Sequence, residues 1–132
     1  MQYIRYLNLF NKVSGVRTKH CFSYNSHLIF LVPKKEIAKS IGEQGKNIKR
    51  LNRILRKKIK IIKLPSGLWD IQEFVSDIVN PIEPKKIEVK NNEVVITAGQ
   101  NKAALIGRQK ARLEEMKNII NQYFSLKNVK IA

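Results

Sequence analysis

Apolar residues along this 132-residue chain follow two patterns that alternate from one end to the other. Short apolar runs rich in β-branched residues, such as Leu28–Val32 and Glu93–Thr97, are each followed by a stretch in which apolar residues recur every three or four positions. The first pattern is typical of strands and the second of amphipathic helices. The sequence therefore predicts a mixed fold of the α+β class.

These patterns belong to an internal repeat, which becomes visible when Gly42 is placed on Gly107, 65 positions later. The apolar positions around the two glycines then coincide without a gap: Ile41 with Ile106, Ile48 with Leu113, Leu51 with Met116 and Leu55 with Ile120. Each copy reads strand, short helix, glycine-containing turn, helix. A repeat of this kind indicates one structural unit written twice.

A helix and a strand are also expected before each copy, and another strand after it. The candidate helices are Tyr3–Val13 and Asp70–Asn80, and the candidate strands are Val16–Tyr24, Lys86–Lys90, 59–64 and 129–132. Asp70 is a plausible N-cap and Pro81 a stop for its helix. The complete unit is α-β-β-α-α-β, which predicts domains at residues 1–65 and 66–132. Because units of about 65 residues bury only about 60% of their unfolded surface, we expect the two to pack together.

Charge is the strongest compositional signal in the sequence. The net charge is +16, from 26 Lys and Arg against 10 Asp and Glu, and residues 1–63 hold sixteen of the basic residues but only two acidic ones. So large an excess costs self-repulsion unless an anionic partner binds to it. A basic run can also be merely a solvated surface. An imbalance that spans half the chain favours nucleic-acid binding.

The first glycine-containing turn, IGEQGKN, leads directly into this positive charge. Gly42 and Gly45 allow the backbone to approach a ligand more closely than a Cβ would permit, although Gly-x-x-Gly alone also fits an ordinary helix–helix turn. The helix that follows separates an apolar side from a basic one. The apolar side, expected to face the core, has Ile48, Leu51, Ile54 and Leu55, and the basic side has Lys46, Lys49, Arg50, Arg53, Arg56 and Lys57.

An Ile-Gly-x-x-Gly loop between two helices resembles the loop of a KH domain, which clamps about four nucleotides of a single strand. The helix-first order resembles the type II variant of this domain. Two copies joined by FVSDIVNPIEPKKIEV resemble the paired KH domains of the archaeal NusA-like transcription factors over nearly the whole chain. The resemblance implies a fold of two tandem type II KH domains.

The resemblance also implies that RNA binds to both loops and to the start of the helix after each loop. In the second copy Lys110 replaces the second glycine, so we expect a degenerate loop and a dominant first site. The residues expected to bind RNA are Ile41, Gly42, Glu43, Gln44, Gly45, Lys46, Asn47, Lys49, Arg50, Arg53, Gly107, Arg108, Gln109, Lys110 and Arg112.

Other chemistry receives little support from the sequence. No catalytic grouping of Ser, His and Asp, no Walker loop and no carboxylate cluster with a nearby base is visible, so we expect no enzyme. His20, Cys21 and His27 lack further ligands at a metal spacing, so we expect no metal and no cofactor. Trp69 is interpreted as a packing residue between the domains. The lone Cys21 fits a reducing cytosol, and no apolar run approaches the roughly 20 residues of a membrane span.

The leading hypothesis is a cytoplasmic, monomeric protein that binds single-stranded RNA. The resemblance adds a NusA-like role in transcription elongation, termination or antitermination, with RNA polymerase as a candidate partner. Two alternatives stay open. One is a ribosome-associated or RNA-processing KH protein, and the other is a basic adaptor that docks on RNA polymerase.

Overall fold

A computed structural model describes residues 2–132, which fall into two compact units with a boundary between Leu64 and Pro65. Within the described residues each unit contains three α-helices and one three-stranded sheet. The predicted α+β fold class is confirmed.

The first unit contains α1 (Gln2–Ser14), β1 (His20–Tyr24), β2 (His27–Val32), α2 (Ile37–Ile41), α3 (Lys46–Leu55) and β3 (Lys58–Lys63). Strand β2 lies in the middle of the sheet, antiparallel to β1 and parallel to β3. The parallel pair requires a crossover, which α2 and α3 provide. The loop that joins α2 to α3 is therefore held on one side of the sheet.

The second unit repeats this order with α4 (Ile71–Val79), β4 (Lys86–Lys90), β5 (Glu93–Thr97), α5 (Lys102–Ile106), α6 (Ala111–Phe124) and β6 (Asn128–Ile131). Its sheet has the order β4-β5-β6, again with an antiparallel and a parallel pair. Helix α6 has 14 residues where α3 has 10. The repeat seen in the sequence is thus a repeat of the secondary structure.

Both hairpins close with two residues in the left-handed region. Asn25 and Ser26 have φ values of 52° and 62°, and Asn91 and Asn92 have values of 51° and 64°. Positive φ at both central positions defines the type I′ turn, whose twist matches that of the flanking strands. The turn predicted at Asn91-Asn92 is confirmed, and Asn25-Ser26 is its counterpart in the first unit.

The core of the first unit forms where the helices cover the sheet. Phe10 of α1 stacks on Phe30 of β2 with ring centroids 4.4 Å apart, and Leu51 of α3 is fully buried beside them. Ile54 was predicted to face this core but is 50% exposed. At about 100° per residue it points roughly 100° away from the mean direction of Ile48 and Leu55, which do pack on the core.

In the second unit, the apolar face predicted for α4 is buried, and the helix ends at Val79, before Pro81. Asp70 stands at the N-cap position, as predicted, but its carboxylate makes no capping bond and instead accepts hydrogen bonds from the amide and hydroxyl of Ser66, both at 2.8 Å. A polar neighbour in the preceding turn competes for the carboxylate. No helix among residues 2–132 has the length and apolar character needed to cross a membrane.

Candidate nucleic-acid interface

The loop between α2 and α3 makes a tight turn built on positive φ angles. Gly42 has a φ of 80°, Gln44 of 56° and Gly45 of 72°. The Gly42 amide donates to the Ala38 carbonyl at 3.0 Å, which ends α2, and the Gly45 amide donates to the Gly42 carbonyl at 3.0 Å. The side chains of Glu43 and Gln44 are exposed at the tip of the turn.

The two glycines of this loop serve different purposes. A Cβ added to Gly42 would lie 2.9 Å from Cγ of Asn47, so the fold itself requires glycine there. A Cβ added to Gly45 would meet no atom within 4 Å. No side chain covers the outer side of the backbone at Gly45, so the backbone of a ligand can come close to it.

The loop between α5 and α6 has the same backbone despite its missing glycine. Gly107, Gln109 and Lys110 have φ values of 78°, 57° and 63°, close to those of Gly42, Gln44 and Gly45. A left-handed conformation costs a residue with a Cβ about 1 kcal/mol, and Lys110 tolerates it. Lysine in place of the second glycine thus adds an exposed side chain to the loop and leaves its backbone shape unchanged.

A hydrogen bond beneath each loop joins its two flanking helices. Nδ2 of Asn47 donates to the Lys39 carbonyl at 3.1 Å, and Nη1 of Arg112 donates to the Ala104 carbonyl at 2.8 Å. Asn47 is only 8% exposed and Arg112 is half-buried. Both residues were predicted to bind RNA, and the structure gives each a contact that holds its loop.

The basic surface belongs to the first unit. Lys46, Lys49, Arg50 and Arg53 are all exposed on α3, a helix that contains no acidic residue. In α6, by contrast, Glu114 and Glu115 interrupt the positive charge, and Lys117 pairs with Glu114 at 3.5 Å. Charge along the helix after the loop therefore distinguishes the two copies more than loop shape does.

A groove of about 330 Å³ runs between α3 and β3, lined by His27, Ile48, Lys49, Asn52, Lys58, Ile59 and Lys60. Its apolar residues are Ile48 and Ile59, and three lysines border them. Lys49 belongs both to the exposed face of α3 and to the groove, so the two surfaces are continuous.

Sequence reasoning missed the β3 side of this groove. Lys58 and Lys60 were not singled out because the fold alone brings β3 beside α3. The available signal was the alternation of lysine and isoleucine in the first residues of this strand.

The remaining predicted site residues lie in or beside the two loops. Ile41 is partly buried against the core of the first unit. Those exposed on the second loop are Arg108, Gln109 and Lys110. Each unit brings its own loop residues together. Trp69 is 78% exposed, and its ring lies over Gly67.

Three titratable groups outside the loops have a pKa that departs from its ordinary value. Burial raises the pKa of the Cys21 thiol to about 12. Burial, and after it the charge of Lys19, lowers the pKa of His20. Hydrogen bonding to Lys90, with a further contribution from Lys86, lowers the pKa of Glu88. In the described part of the chain, no three His, Cys, Asp or Glu side chains are grouped so as to hold a metal ion.

Comparison with known proteins finds relatives along nearly the whole chain, although no family model matches it. Proteins named probable transcription termination protein NusA are similar in three archaea. The one from Methanococcus vannielii is 26% identical over 131 residues, which cover 96% of this chain and 74% of that protein. The Methanocaldococcus jannaschii protein is 24% identical, and the match covers 95% of this chain and 69% of that protein. The Halococcus morrhuae protein is 19% identical, and the match covers 98% of this chain and 94% of that protein.

A solved structure, the crystal structure of APE1850, matches with a TM-score of 0.66 and 26% identity, covering 98% of this chain and 96% of that one. The fold is thus a mixed α+β architecture with a known structural neighbour. The matches in sequence support a NusA-like relationship.

Proposed function

We propose that this chain is a single-stranded RNA-binding protein made of two tandem type II KH domains, with the principal site in the first. The observation that carries the proposal is the bare backbone at Gly45, which stands at the start of the basic helix α3. Phosphate groups prefer helix N-termini and exposed cations. A loop that lets them come close to both is suited to hold a sugar-phosphate chain.

The groove beside α3 gives the bases of such a strand a place to lie. Phosphates passing Gly45 and Lys46 leave the attached bases directed towards Ile48 and Ile59, whose apolar surface suits the faces of unstacked bases. Asn52 lies in the same groove and can hydrogen-bond a base edge with its amide oxygen, while its Nδ2 donates to the Lys57 carbonyl at 2.7 Å. The rim lysines add affinity that does not depend on sequence.

This arrangement favours single strands over duplexes. A duplex keeps its bases stacked and paired, so its base faces cannot reach the apolar residues of the groove. Binding of a fluorescent single-stranded RNA, followed by anisotropy at moderate salt, should be stronger than binding of the same sequence annealed to its complement. Equal affinity for the two forms would contradict the KH assignment.

We further propose that the chain acts on transcripts as a NusA-like factor in elongation, termination or antitermination, with RNA polymerase as partner and without catalysing a reaction. The support is the name carried by its archaeal relatives. Isolation of the tagged chain from its native cells tests this role. Recovery with RNA polymerase is expected, and recovery only with ribosomal particles would overturn the transcriptional part while leaving RNA binding intact.

A further inference from the structure

A second cavity in the first unit is larger than the groove and lies elsewhere on the same unit. It has a volume of about 800 Å³ and is lined by residues of α1, of the segment from Arg17 to His20, and by Pro33 and Leu64. Pockets of roughly 300–1,000 Å³ are the usual size for small-molecule and cofactor sites. None of its residues belongs to the loop or to α3.

The cavity is separated from the groove along the sheet. Pro33 follows β2 and Leu64 follows β3, whereas the groove lies at the opposite ends of these strands, where His27 pairs with Lys58. At about 3.3 Å per residue, roughly 13 Å separates Leu64 from Lys60, the groove residue nearest to it in β3. The two sites are distinct, yet they are close enough for a single RNA strand to contact both.

The lining divides into three kinds of surface. Leu7, Pro33 and Leu64 provide apolar surface, whereas Asn8 and Asn11, one turn apart on α1, provide two side-chain amides. Arg17 and Lys19 are exposed cations in the segment before β1. Within the described residues, these two amide groups and two cationic groups make no side-chain hydrogen bond.

The middle of this lining is held in place. The Thr18 hydroxyl donates to the Leu31 carbonyl, and the amide of His20 donates to Thr18 Oγ1 at 3.2 Å. These bonds fix the short segment that carries Arg17 and Lys19 against the sheet. The cations are therefore presented from an ordered backbone.

We propose that this cavity binds one nucleotide: its phosphate on Arg17 and Lys19, its base against the apolar residues, and its base edge on the amides of Asn8 and Asn11. A nucleotide combines an anionic group, flat apolar faces and a hydrogen-bonding edge, and the lining offers a counterpart to each. An acidic side chain would use only the cations. The nucleotide is either a free mononucleotide or one residue of a bound RNA, and the second source rests on the proposed function.

Amide chemical shifts of the ¹⁵N-labelled full chain distinguish these sources. The probes are the four 5′-ribonucleoside monophosphates, inorganic phosphate and a single-stranded oligoribonucleotide. Saturable shifts at Arg17–His20 with a monophosphate, and none with phosphate alone, identify a mononucleotide site. Shifts there only with the oligonucleotide, accompanied by shifts at Lys49 and Lys60 in the groove, identify an additional contact on the RNA.

Variants test whether the shifts come from the proposed contacts. Arg17→Ala with Lys19→Ala should weaken binding of the ligand at this cavity at least about tenfold, because two charge-assisted contacts are lost. Asn8→Ala with Asn11→Ala should reduce discrimination among the four bases, and alanine is favourable in a helix, so α1 is retained. Lys12→Ala with Lys130→Ala removes the same charge outside both sites and should leave this binding unchanged.

The outcomes separate the inference from the proposed function. Groove shifts with RNA, but none at Arg17–His20 with any probe, would overturn the nucleotide site and leave RNA binding standing. Cavity shifts with a monophosphate and no groove shifts with RNA would support the site and contradict the RNA proposal. Equal shifts at Arg17–His20 with phosphate and with nucleotide would overturn the inference, because they would show that the cavity binds an anion without contacting the base.

Discussion

Asn47 and Arg112 occupy equivalent positions in the two units, and each donates a hydrogen bond to the carbonyl of the residue eight positions earlier. One side chain is a short amide and the other a long guanidinium, yet the backbones of the loops above them have nearly the same angles. The common feature is a donor that reaches from the helix after the loop to the helix before it. Loop shape thus depends on this bond more than on the residue type that makes it.

Replacing Asn47 by alanine should loosen the first loop. The Lys39 carbonyl loses its donor and the space beneath Gly42 opens, so the free energy of unfolding should fall by about 1–2 kcal/mol, measured by urea denaturation. RNA affinity should fall as well.

The matched control for this change is Asn121→Ala, which removes a similar bond, from Nδ2 to the Leu126 carbonyl at 3.3 Å, at the far end of α6. The control should lower stability and spare RNA binding. If both variants lost affinity equally, the bond from Asn47 would have no particular role in the site.

Lys110→Gly should stabilise the second unit. Lys110 holds a φ of 63°, and relief of the left-handed strain should raise the free energy of unfolding by roughly 0.5–1 kcal/mol. The reverse change, Gly45→Lys, should cost about the same, because a Cβ there meets no neighbour and only the backbone angle is unfavourable. Thermal unfolding of the two variants would show shifts of opposite sign, and a loss of folding in Gly45→Lys would disprove the open space at this position.

The exposed cations of α3 should account for much of the salt dependence of RNA binding. For single strands the slope of log affinity against log salt is about −0.7 per neutralised phosphate. Arg50→Ala with Arg53→Ala should therefore make the slope less negative by roughly 1.4. The pair Lys12→Ala and Lys130→Ala carries the same charge change, and an equal effect in this pair would show that overall charge, and no defined surface, drives binding.

Cys21 should react slowly with iodoacetamide. Its raised pKa of about 12 means that the thiolate, which is the reactive form, is scarce at pH 8. The rate should be at least about 100-fold below that of the urea-unfolded chain and should climb roughly tenfold per pH unit up to that pKa. Fast alkylation at pH 8 would contradict the burial of this thiol.

Local patterns predicted the elements of the fold well. The β4 and β5 strands appear at the expected residues, and the turn at Asn91-Asn92 follows from side chains that tolerate positive φ. Packing was harder to predict, since Ile54 fits the apolar spacing of α3 but lies to one side of the face that packs on the core, and it is half exposed. Asp70 illustrates the same limit, because a competing hydroxyl at Ser66 is not visible in a capping pattern.

The candidate site was predictable only in part. The loop could be found because its glycines and charges are adjacent in the sequence, but the groove needs β3 beside α3, which a local pattern cannot supply. The expectation that Asn47 contacts RNA came from its place next to the loop. Its burial and its bond to Lys39 are properties of the folded chain.

The variants that test the first loop must take its backbone into account. Gly45 has a φ of 72°, so any side chain there carries strain, and a charge effect needs a comparison at equal strain. Gln44→Lys with Gly45→Lys supplies a near match, because it also places side chains at two positive-φ positions but carries the opposite charge. Circular dichroism should show that each variant is folded before it is titrated.

The most direct test of the central claim is the titration of one fluorescent single-stranded RNA with two double variants. Gln44→Asp with Gly45→Asp should weaken binding at least about tenfold, because two negative charges would stand on the proposed path of the RNA phosphates. Gln109→Asp with Lys110→Asp should cost less. The lysine pair at positions 44 and 45 also fills the open space at Gly45 but adds positive charge, so it should lose less affinity than the aspartate pair. A larger loss in the second-loop variant than in the aspartate variant of the first loop would contradict the assignment of the principal RNA site to Gly42–Asn47.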